Sequence, residues 1–378
     1  MSAAPLRVAV IGGGVLGVST AAHLAREGAA VTLVTEGALG SGASGRSLSW
    51  LNSGGSRSAA YHRLRMAGID RYRTLAARNP PSASWLRFDG GLTWAAGGPD
   101  DAIVRAHAHE RSLGYDSRLL TVEEVAATVP GVDPSAIAGP AIFNPGEGWV
   151  DLNALIDHLA ANLRALGGTI VENAGPARLA LTGGRISGVT AGDLALEADR
   201  VVVATGPAVP AMLSEYGVMI PDRTPISLLL RVAPLAHPLR AVLNTPRVSI
   251  RPAPDGGFSL DAGWSEKEVS LRADGTVAIP LSTVAGLLEA ATRVLAGNPS
   301  LTLRSTGAGP KPIPGDGEPV LGELADLPGV TVAFSHSGAT LGLVAGEMLA
   351  GEIVSGERHP MLETFRPGRF AAASAAAQ

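Results

Sequence analysis

The chain of 378 residues is 46% apolar and 17% charged, which excludes a disordered polymer and leaves enough length for two domains, each with its own core. Its net charge of −4 comes without any basic block, so nucleic-acid binding is not expected. Cysteine is absent, which removes disulfides, thiolate metal sites, iron–sulfur clusters, a cysteine nucleophile and any cysteine-linked cofactor. The 48 glycines and 27 prolines follow no triplet period and mark many turns. Leu6–Ala25 is apolar but is broken by three consecutive glycines and holds His23, so it reads as neither a membrane span nor a signal peptide. A cytoplasmic protein that does not engage membranes is expected.

In chain order, Leu6–Ile11 reads as a buried strand, Gly12–Gly14 as a tight turn, and Val15–Glu27 as a helix stopped by Gly28. Ala30–Val34 completes a βαβ unit, which implies a parallel sheet. The Ser/Gly-rich stretch from Gly40 to Ser58 is too apolar at Leu48, Trp50 and Leu51 for a solvated linker. Tyr61–Arg78 reads as a helix. Leu86–Trp94 and Ala136–Phe143 read as strand-like runs of a different module. An amphipathic helix starts at Asp151, and Thr169–Val171 and Val201–Ala204 read as strands rejoining the first sheet. Ser227–Arg231, Val248–Arg251 and Phe258–Asp261 form a second β-rich block, and Pro280–Ala296 is helical. Val330–Phe334 is a buried strand followed by a helix over Thr340–Ile353, and the end of the chain is low in complexity.

The fold class expected is α/β: a Rossmann-like dinucleotide domain of residues 1–80, 146–215 and 305–368, interleaved with a β-rich α+β substrate domain of 81–145 and 216–304. Residues 369–378 are expected to be a disordered tail. Gly12-x-Gly14-x-x-Gly17 stands between a strand and a helix. Gly12 permits the turn, Gly14 admits a diphosphate, and Gly17 allows close helix packing, with Val15 and Leu16 opening the helix whose amides face the charge. The ribose-binding acid is either Glu36 or a substitute at Thr35, which directly follows the second strand.

The fingerprint alone does not separate FAD from NAD. The order GGGVLG, VTLVTEG, GSGASGRS, GWVDLNAL, ADRVVVATG, RPAPDGGFSL, PKPIPGDGEPVLG and SHSGATLGLVAGEMLAGEI resembles the FAD-dependent D-amino-acid oxidase superfamily, in particular its glycine oxidase and sarcosine oxidase branch. The resemblance runs from Val8 to about Gly356. It implies that Ser41, Ala43, Ser44, Gly45, Arg46 and Ser47 follow the diphosphate towards the flavin, and that Ala177 meets adenine through its amide. It also implies that Ala204, Thr205 and Gly206 turn beside the cofactor. Gly338, Ala339, Thr340 and Leu341 would open a helix aimed at the flavin, where N–H dipoles favour reduction. Members that attach FAD covalently use a cysteine whose counterpart lies near Gly309, so the FAD of this chain is expected to be non-covalent.

The resemblance further implies oxidation of an amine C–N bond by hydride transfer to flavin N5, giving an imine. The substrate is expected to be a primary or secondary amine and an amino acid, with O2 or another compound accepting the electrons. Lys311 stands where related enzymes hold the substrate carboxylate with an arginine, and Arg251 is the other candidate cation. Trp50 and His336 are candidate pocket residues, with His336 able to tune the amine proton. Tyr61, His62 and Tyr216 are further possibilities, and Ser259 falls where sarcosine oxidases place an oxygen-activating lysine. His107 and His109 are expected to be solvated, and no metal is expected. The alternatives are oxidation of a 2-hydroxy acid, with His336 as base, and a flavin-binding module without turnover.

Overall fold

The computed structural model describes residues 4–78, 84–97 and 102–370. The chain divides into two compact units, one of Met1–Gly45, Leu152–Pro225 and Pro310–Gln378, the other of Arg46–Asp151 and Ile226–Gly309. Residues 46–78, expected with the dinucleotide module, therefore cluster with the second unit, because the helix Ala59–Arg78 and the strand Trp50–Leu51 make their contacts there. The expected boundary at residue 80 lies outside the described residues.

In the first unit a six-stranded sheet runs Val320–Glu323, Val330–Phe334, Arg200–Val203, Arg7–Ile11, Ala30–Val34, Thr169–Val171. All neighbours are parallel except the antiparallel edge strand Val320–Glu323. Apolar β-branched runs suit such strands because both faces are covered: Val8, Val10, Val201–Val203 and Val330–Phe334 are almost fully buried, apart from Thr331. The helix Val15–Arg26 follows the first strand, and Gly28, at φ +89°, ends its turn in a left-handed conformation that glycine tolerates. The helix Leu152–Ala165 buries Leu155, Ile156, Leu159 and Leu163 at helical spacing. A separate hairpin sheet of Ala177–Thr182, Arg185–Ala191 and Leu194–Glu197 has no counterpart in the sequence reading.

The C-terminal helix, Gly338–Ser355, lies against Val15–Arg26 at very short range. A Cβ on Gly346 would fall 2.3 Å from Ser19 Oγ and 2.8 Å from the Ser19 and Thr20 backbone. Gly346→Leu is accordingly expected to destabilise the unit by about 3 kcal/mol, through overpacking against backbone that cannot yield. A urea midpoint equal to wild type would show that the two helices do not pack this closely. Arg369 and Phe370, expected in a disordered tail, instead form a 3-10 turn over Pro367–Phe370, held by the Arg369–Asp316 ion pair at 2.8 Å. Residues 371–378 lie outside the described residues.

The second unit is built on an eight-stranded sheet in the order Leu303–Pro310, Ile226–Val232, Phe258–Asp261, Ser249–Pro252, Val242–Asn244, Gly91–Trp94, Ala141–Asn144, Arg118–Leu120. Leu92, Leu228, Leu230, Leu243, Ile250 and Leu260 form its core with Leu287 and Ala291 of the helix Leu281–Val294. A three-stranded sheet places Gly148–Val150 between Trp50–Leu51 and Leu86–Arg87. The run Leu86–Trp94 is thus two short strands in two sheets, broken at Asp89-Gly90. Among the described residues no helix is long and apolar enough to cross a membrane.

Candidate functional site

The glycine turn lies at the C-terminal end of the central strand of the first unit. A Cβ on Gly12 would fall 2.3 Å from the Ala204 carbonyl oxygen, and one on Gly17 would fall 2.0 Å from the Gly12 carbonyl oxygen. Both glycines are therefore required by the protein itself. Gly14 is different: a Cβ there would meet only Ser44 Oγ, at 3.3 Å. The space over Gly14 is open, as a phosphate cradle needs. No side chain caps the second and third amides of the helix, and Ser44 Oγ accepts from Val15 N at 3.0 Å. The turn at Ala204–Gly206 presses on Gly12, and Thr205 Oγ1 is buried with no hydrogen-bond partner in the protein. An orphaned buried hydroxyl beside a glycine cradle calls for a ligand atom.

Several sequence candidates converge here. Gly338 opens the C-terminal helix, and a Cβ on it would fall 3.3 Å from Val15 Cγ1. Thr340 and Leu341 are buried behind it, while Ala339 is half-buried. Gly45 folds back on Gly40, where a Cβ would fall 2.4 Å from the Gly40 carbonyl oxygen, so small residues are required through this loop. Thr35 is buried with its hydroxyl over Gly13, whereas Glu36 is exposed. Asn173 and Ala174 donate their amides to the Gly37 and Thr35 carbonyls, which brings the start of the Ala177 strand alongside this turn. Ser41 is exposed and its hydroxyl is turned back to the Ala38 carbonyl at 2.7 Å. Ala43 is half-buried in a 3-10 turn over Ala43–Arg46.

His336 is exposed on the turn before the C-terminal helix. Lys311 is half-buried, with its amide bonded to the Pro225 carbonyl at 2.9 Å. Tyr216, considered as a pocket residue, instead fixes the hairpin sheet: its hydroxyl accepts from Leu179 N at 2.9 Å and donates to Leu179 O at 3.2 Å.

In the second unit Arg251 is 2% exposed. It donates to Ser259 Oγ and to the Pro252 carbonyl, each at 3.1 Å, and its guanidinium lies 5.2 Å from the Trp149 ring centre. The nearest carboxylate, Asp151, is 4.0 Å away, and Arg251 Nε has no hydrogen-bond partner in the protein. Burial pushes this guanidinium down to about 10, yet leaves it cationic at neutral pH. Trp50 is half-buried and pairs with Trp149. Ser49, between Ser47 and Trp50, is buried at φ +60°, a left-handed conformation uncommon for serine, and donates its amide to Ser47 Oγ at 3.0 Å.

The sequence reading missed a buried polar cluster in this unit. Glu147 is fully buried, and its Oε1 accepts from Tyr115 OH at 2.7 Å and from the Ser53 and Gly54 amides at 3.2 Å. Glu110, 3% exposed, accepts from Gly55 N at 2.7 Å and from Asn144 Nδ2 at 2.9 Å. His62 contacts Ser53 Oγ at 2.8 Å, and Tyr61 accepts from Arg65 at 3.3 Å. A carboxylate at Glu147, between the apolar runs Ala141–Phe143 and Trp149–Val150, was the available signal. His107 and His109, expected to be solvated, are half-buried and bonded to Ser117 Oγ and the Arg57 carbonyl, each at 2.9 Å, because their helix packs one face on this cluster.

Residues 7–352 match the family described as FAD dependent oxidoreductases, DAO type. The chain belongs to this family of FAD-dependent oxidoreductases. It is 27% identical over 217 residues to the 4-methylaminobutanoate oxidase (formaldehyde-forming) of Paenarthrobacter nicotinovorans, a match covering 57% of this chain. That match spans only about a quarter (26%) of the curated relative's length. Glycine oxidase from Geobacillus kaustophilus superposes with a TM-score of 0.81 at 22% identity, covering 96% of this chain and 99% of that one. Iminodiacetate oxidase from Chelativorans sp. BNC1 gives 0.78 at 23%, covering 96% and 99%. These two likenesses establish the fold.

The FAD-dependent family assignment agrees with the chemistry of the first unit. The open space at Gly14, the uncapped helix start and the orphaned Thr205 hydroxyl fit the diphosphate end of a dinucleotide. In the second unit Arg46 lies along the strand Leu303–Pro310. A Cβ on Gly309 would fall 2.7 Å from Arg46 Nη2, and one on Gly307 would fall 3.1 Å from Arg46 Cγ. Partial burial lowers the Arg46 guanidinium from its ordinary value. Among the described residues no cluster of metal-ligating side chains occurs.

Proposed function

We propose that the protein holds FAD non-covalently and oxidises the C–N bond of a primary or secondary amine that carries a carboxylate. The observation that carries the substrate half of this reading is Arg251, a buried cation with no carboxylate closer than 4.0 Å. A buried guanidinium whose nearest carboxylate stands off at 4.0 Å is only weakly compensated, and a planar fork suits a carboxylate better than the ammonium of Lys311 does. The names of the relatives agree: glycine, iminodiacetate and 4-methylaminobutanoate are each amines bearing a carboxylate.

Bound flavin supplies the redox chemistry, taking two electrons and the α-hydrogen as a hydride. The residues of the chain then have the task of orientation. Arg251 would hold the carboxylate, Trp50 would wall the pocket, and the amine must lose its proton before the C–N bond gains imine character. Water then hydrolyses the imine to a carbonyl compound, releasing ammonia from a primary amine and the shorter amine from a secondary one. The electron acceptor is O2 or another oxidant, and the serine at position 259 supports no lysine-assisted reaction with O2. Non-covalent attachment is supported by Gly309, whose side-chain space is filled by the Arg46 guanidinium. The 2-hydroxy-acid alternative needs a base for the alcohol proton, and its candidate, His336, is exposed.

Purified holoprotein mixed anaerobically with a panel of amino acids, their decarboxylated amines and 2-hydroxy acids should lose its flavin absorbance with amino acids first. Acid precipitation should release all flavin to the supernatant. Bleaching by hydroxy acids alone would refute the amine reading, and flavin retained in the pellet would refute the non-covalent one.

A further inference from the structure

Ten residues of loop and strand, Arg46–Gly55, carry Arg46, Ser47 and Trp50, yet only Trp50–Leu51 pairs in a sheet. What holds the remainder is the buried cluster. Three successive amides, those of Ser53, Gly54 and Gly55, are bonded to two carboxylates: Glu147 takes the first two and Glu110 the third. Gly54 sits between them, since a Cβ there would fall 3.3 Å from Glu147 Oε1 and 3.1 Å from Glu110 Oε1. On the other side of Glu147, Gly91 leaves only a narrow gap. A Cβ on Gly91 would fall 2.3 Å from Glu147 Oε2 and 3.1 Å from Trp50 Nε1. Glu147 thus bonds the turn through Oε1, while its Oε2 and the Trp50 indole both border the space beside Gly91. Oε1 takes three donors, whereas Oε2 is buried with no hydrogen-bond partner in the protein.

We infer that Glu147 is a positioning residue for the proposed oxidation: it clamps the Ser53–Gly55 turn and so fixes the strand that carries Trp50. The inference rests on the reading of Trp50 as a wall of the substrate pocket. It follows from how the two oxygens are used. Oε1 is fully engaged as an acceptor, so an added proton goes to Oε2, where nothing donates. The titratable groups packed around the carboxyl are Tyr115, Glu110 across Gly54, and His62 and Arg65 from the helix Ala59–Arg78. Burial is the main influence on Glu147 and raises it from 4.5 to about 7, with Glu110 adding to the rise and the bonds from Tyr115, Ser53 and Gly54 opposing it. Ionisation places a charge where water cannot reach it, a cost that the three donors on Oε1 offset only in part.

The folded protein holds this proton more tightly than the unfolded chain does. The stability that the neutral, buried carboxyl contributes is thus complete below about pH 4.5 and is lost as pH rises through about 7. His62, lowered chiefly by burial, contributes in the opposite sense, but equally in any Glu147 variant.

The test uses the full-length flavoprotein with Glu147→Gln and Glu147→Leu. Glutamine keeps the Oε1 acceptor and cannot ionise. Glu147→Gln is expected to keep kcat and KM within about twofold at pH 6, and its melting temperature should fall less than that of wild type between pH 5 and pH 8. Leucine leaves three donors without an acceptor. Glu147→Leu should lower kcat by about tenfold or more with flavin content unchanged, and should melt lower at every pH. Wild-type behaviour in Glu147→Leu, failure of glutamine to rescue, or an identical pH response in wild type and Glu147→Gln would each overturn the inference. Should no amine reduce wild-type flavin, the amine reading fails by itself. The melting comparison among the three proteins then still decides whether Glu147 clamps the turn.

Discussion

Gly14→Val is expected to fold and to purify without most of its flavin. The apoprotein leaves open space at this position, with Ser44 Oγ at 3.3 Å as the one neighbour of an added Cβ, so a branched side chain disturbs little of the protein itself. It fills the cradle in which a diphosphate must approach the backbone. An overpacking cost of about 1–3 kcal/mol falls on binding and weakens it by roughly 5- to 150-fold. The control is Gly17→Ala, whose Cβ would fall 2.0 Å from the Gly12 carbonyl oxygen. That variant should lower the urea midpoint of the apoprotein itself, by about 3 kcal/mol of stability, because backbone must move. Flavin content and urea midpoint measured on both variants separate the two roles. Full flavin in Gly14→Val would place the phosphate site elsewhere, and unfolding of Gly14→Val like that of Gly17→Ala would mean the open space is structural.

Arg251→Met should lose activity on amino acids selectively. The side chains are similar in length, so the volume near Trp149 is kept while the charge is removed. A hydrogen bond to a charged group contributes about 1.5–3 kcal/mol, which corresponds to roughly 10- to 150-fold in kcat/KM. The decarboxylated amine has no carboxylate to lose, so its kcat/KM should change little. Lys311→Met is the matched comparison, and the same measurement there should show no selective loss. A selective loss in Lys311→Met, with none in Arg251→Met, would transfer the carboxylate to Lys311. Equal losses on both substrates in Arg251→Met would make the residue a structural support of Ser259 and Pro252 rather than a reader of the substrate.

The glycine turn was legible in the sequence because its chemistry is local. A strand, three glycines in fixed spacing and a helix mark a dinucleotide turn, and the family assignment, drawn from motifs spread between Val8 and about Gly356, is borne out over residues 7–352. The individual strands of the parallel sheet were legible for the same reason, since burial on both faces demands continuous apolar runs such as Val201–Val203 and Val330–Phe334. The hairpin sheet from Ala177 to Glu197 was not, because its residues alternate only weakly and their burial is partial. Residues 46–78 begin with Arg46 and Ser47, the end of the motif expected to run towards the flavin, and were expected with the dinucleotide module. Their pairing with Gly148–Val150 and the Glu147 clamp place them in the other unit.

The amino-acid sequence by itself marked the turn at which a diphosphate is proposed to meet the backbone, since glycine spacing is a property of neighbouring residues. Only the tertiary structure decided which glycines are closed in by protein backbone and which faces open space, because Gly12, Gly14 and Gly17 look alike until the atoms around each missing Cβ are known. It also decided which cations lie in water and which are buried. Lys311 was the first candidate in the sequence and Arg251 the second, and the fold buries Arg251 to 2% exposure with its nearest carboxylate 4.0 Å away while leaving Lys311 half-buried. The same holds for Glu147, whose surroundings come from four separated stretches around Ser53, Gly91, Tyr115 and Glu147 itself. Desolvation and hydrogen bonding depend on what the fold brings together across such distances, and no local pattern in the chain encodes them.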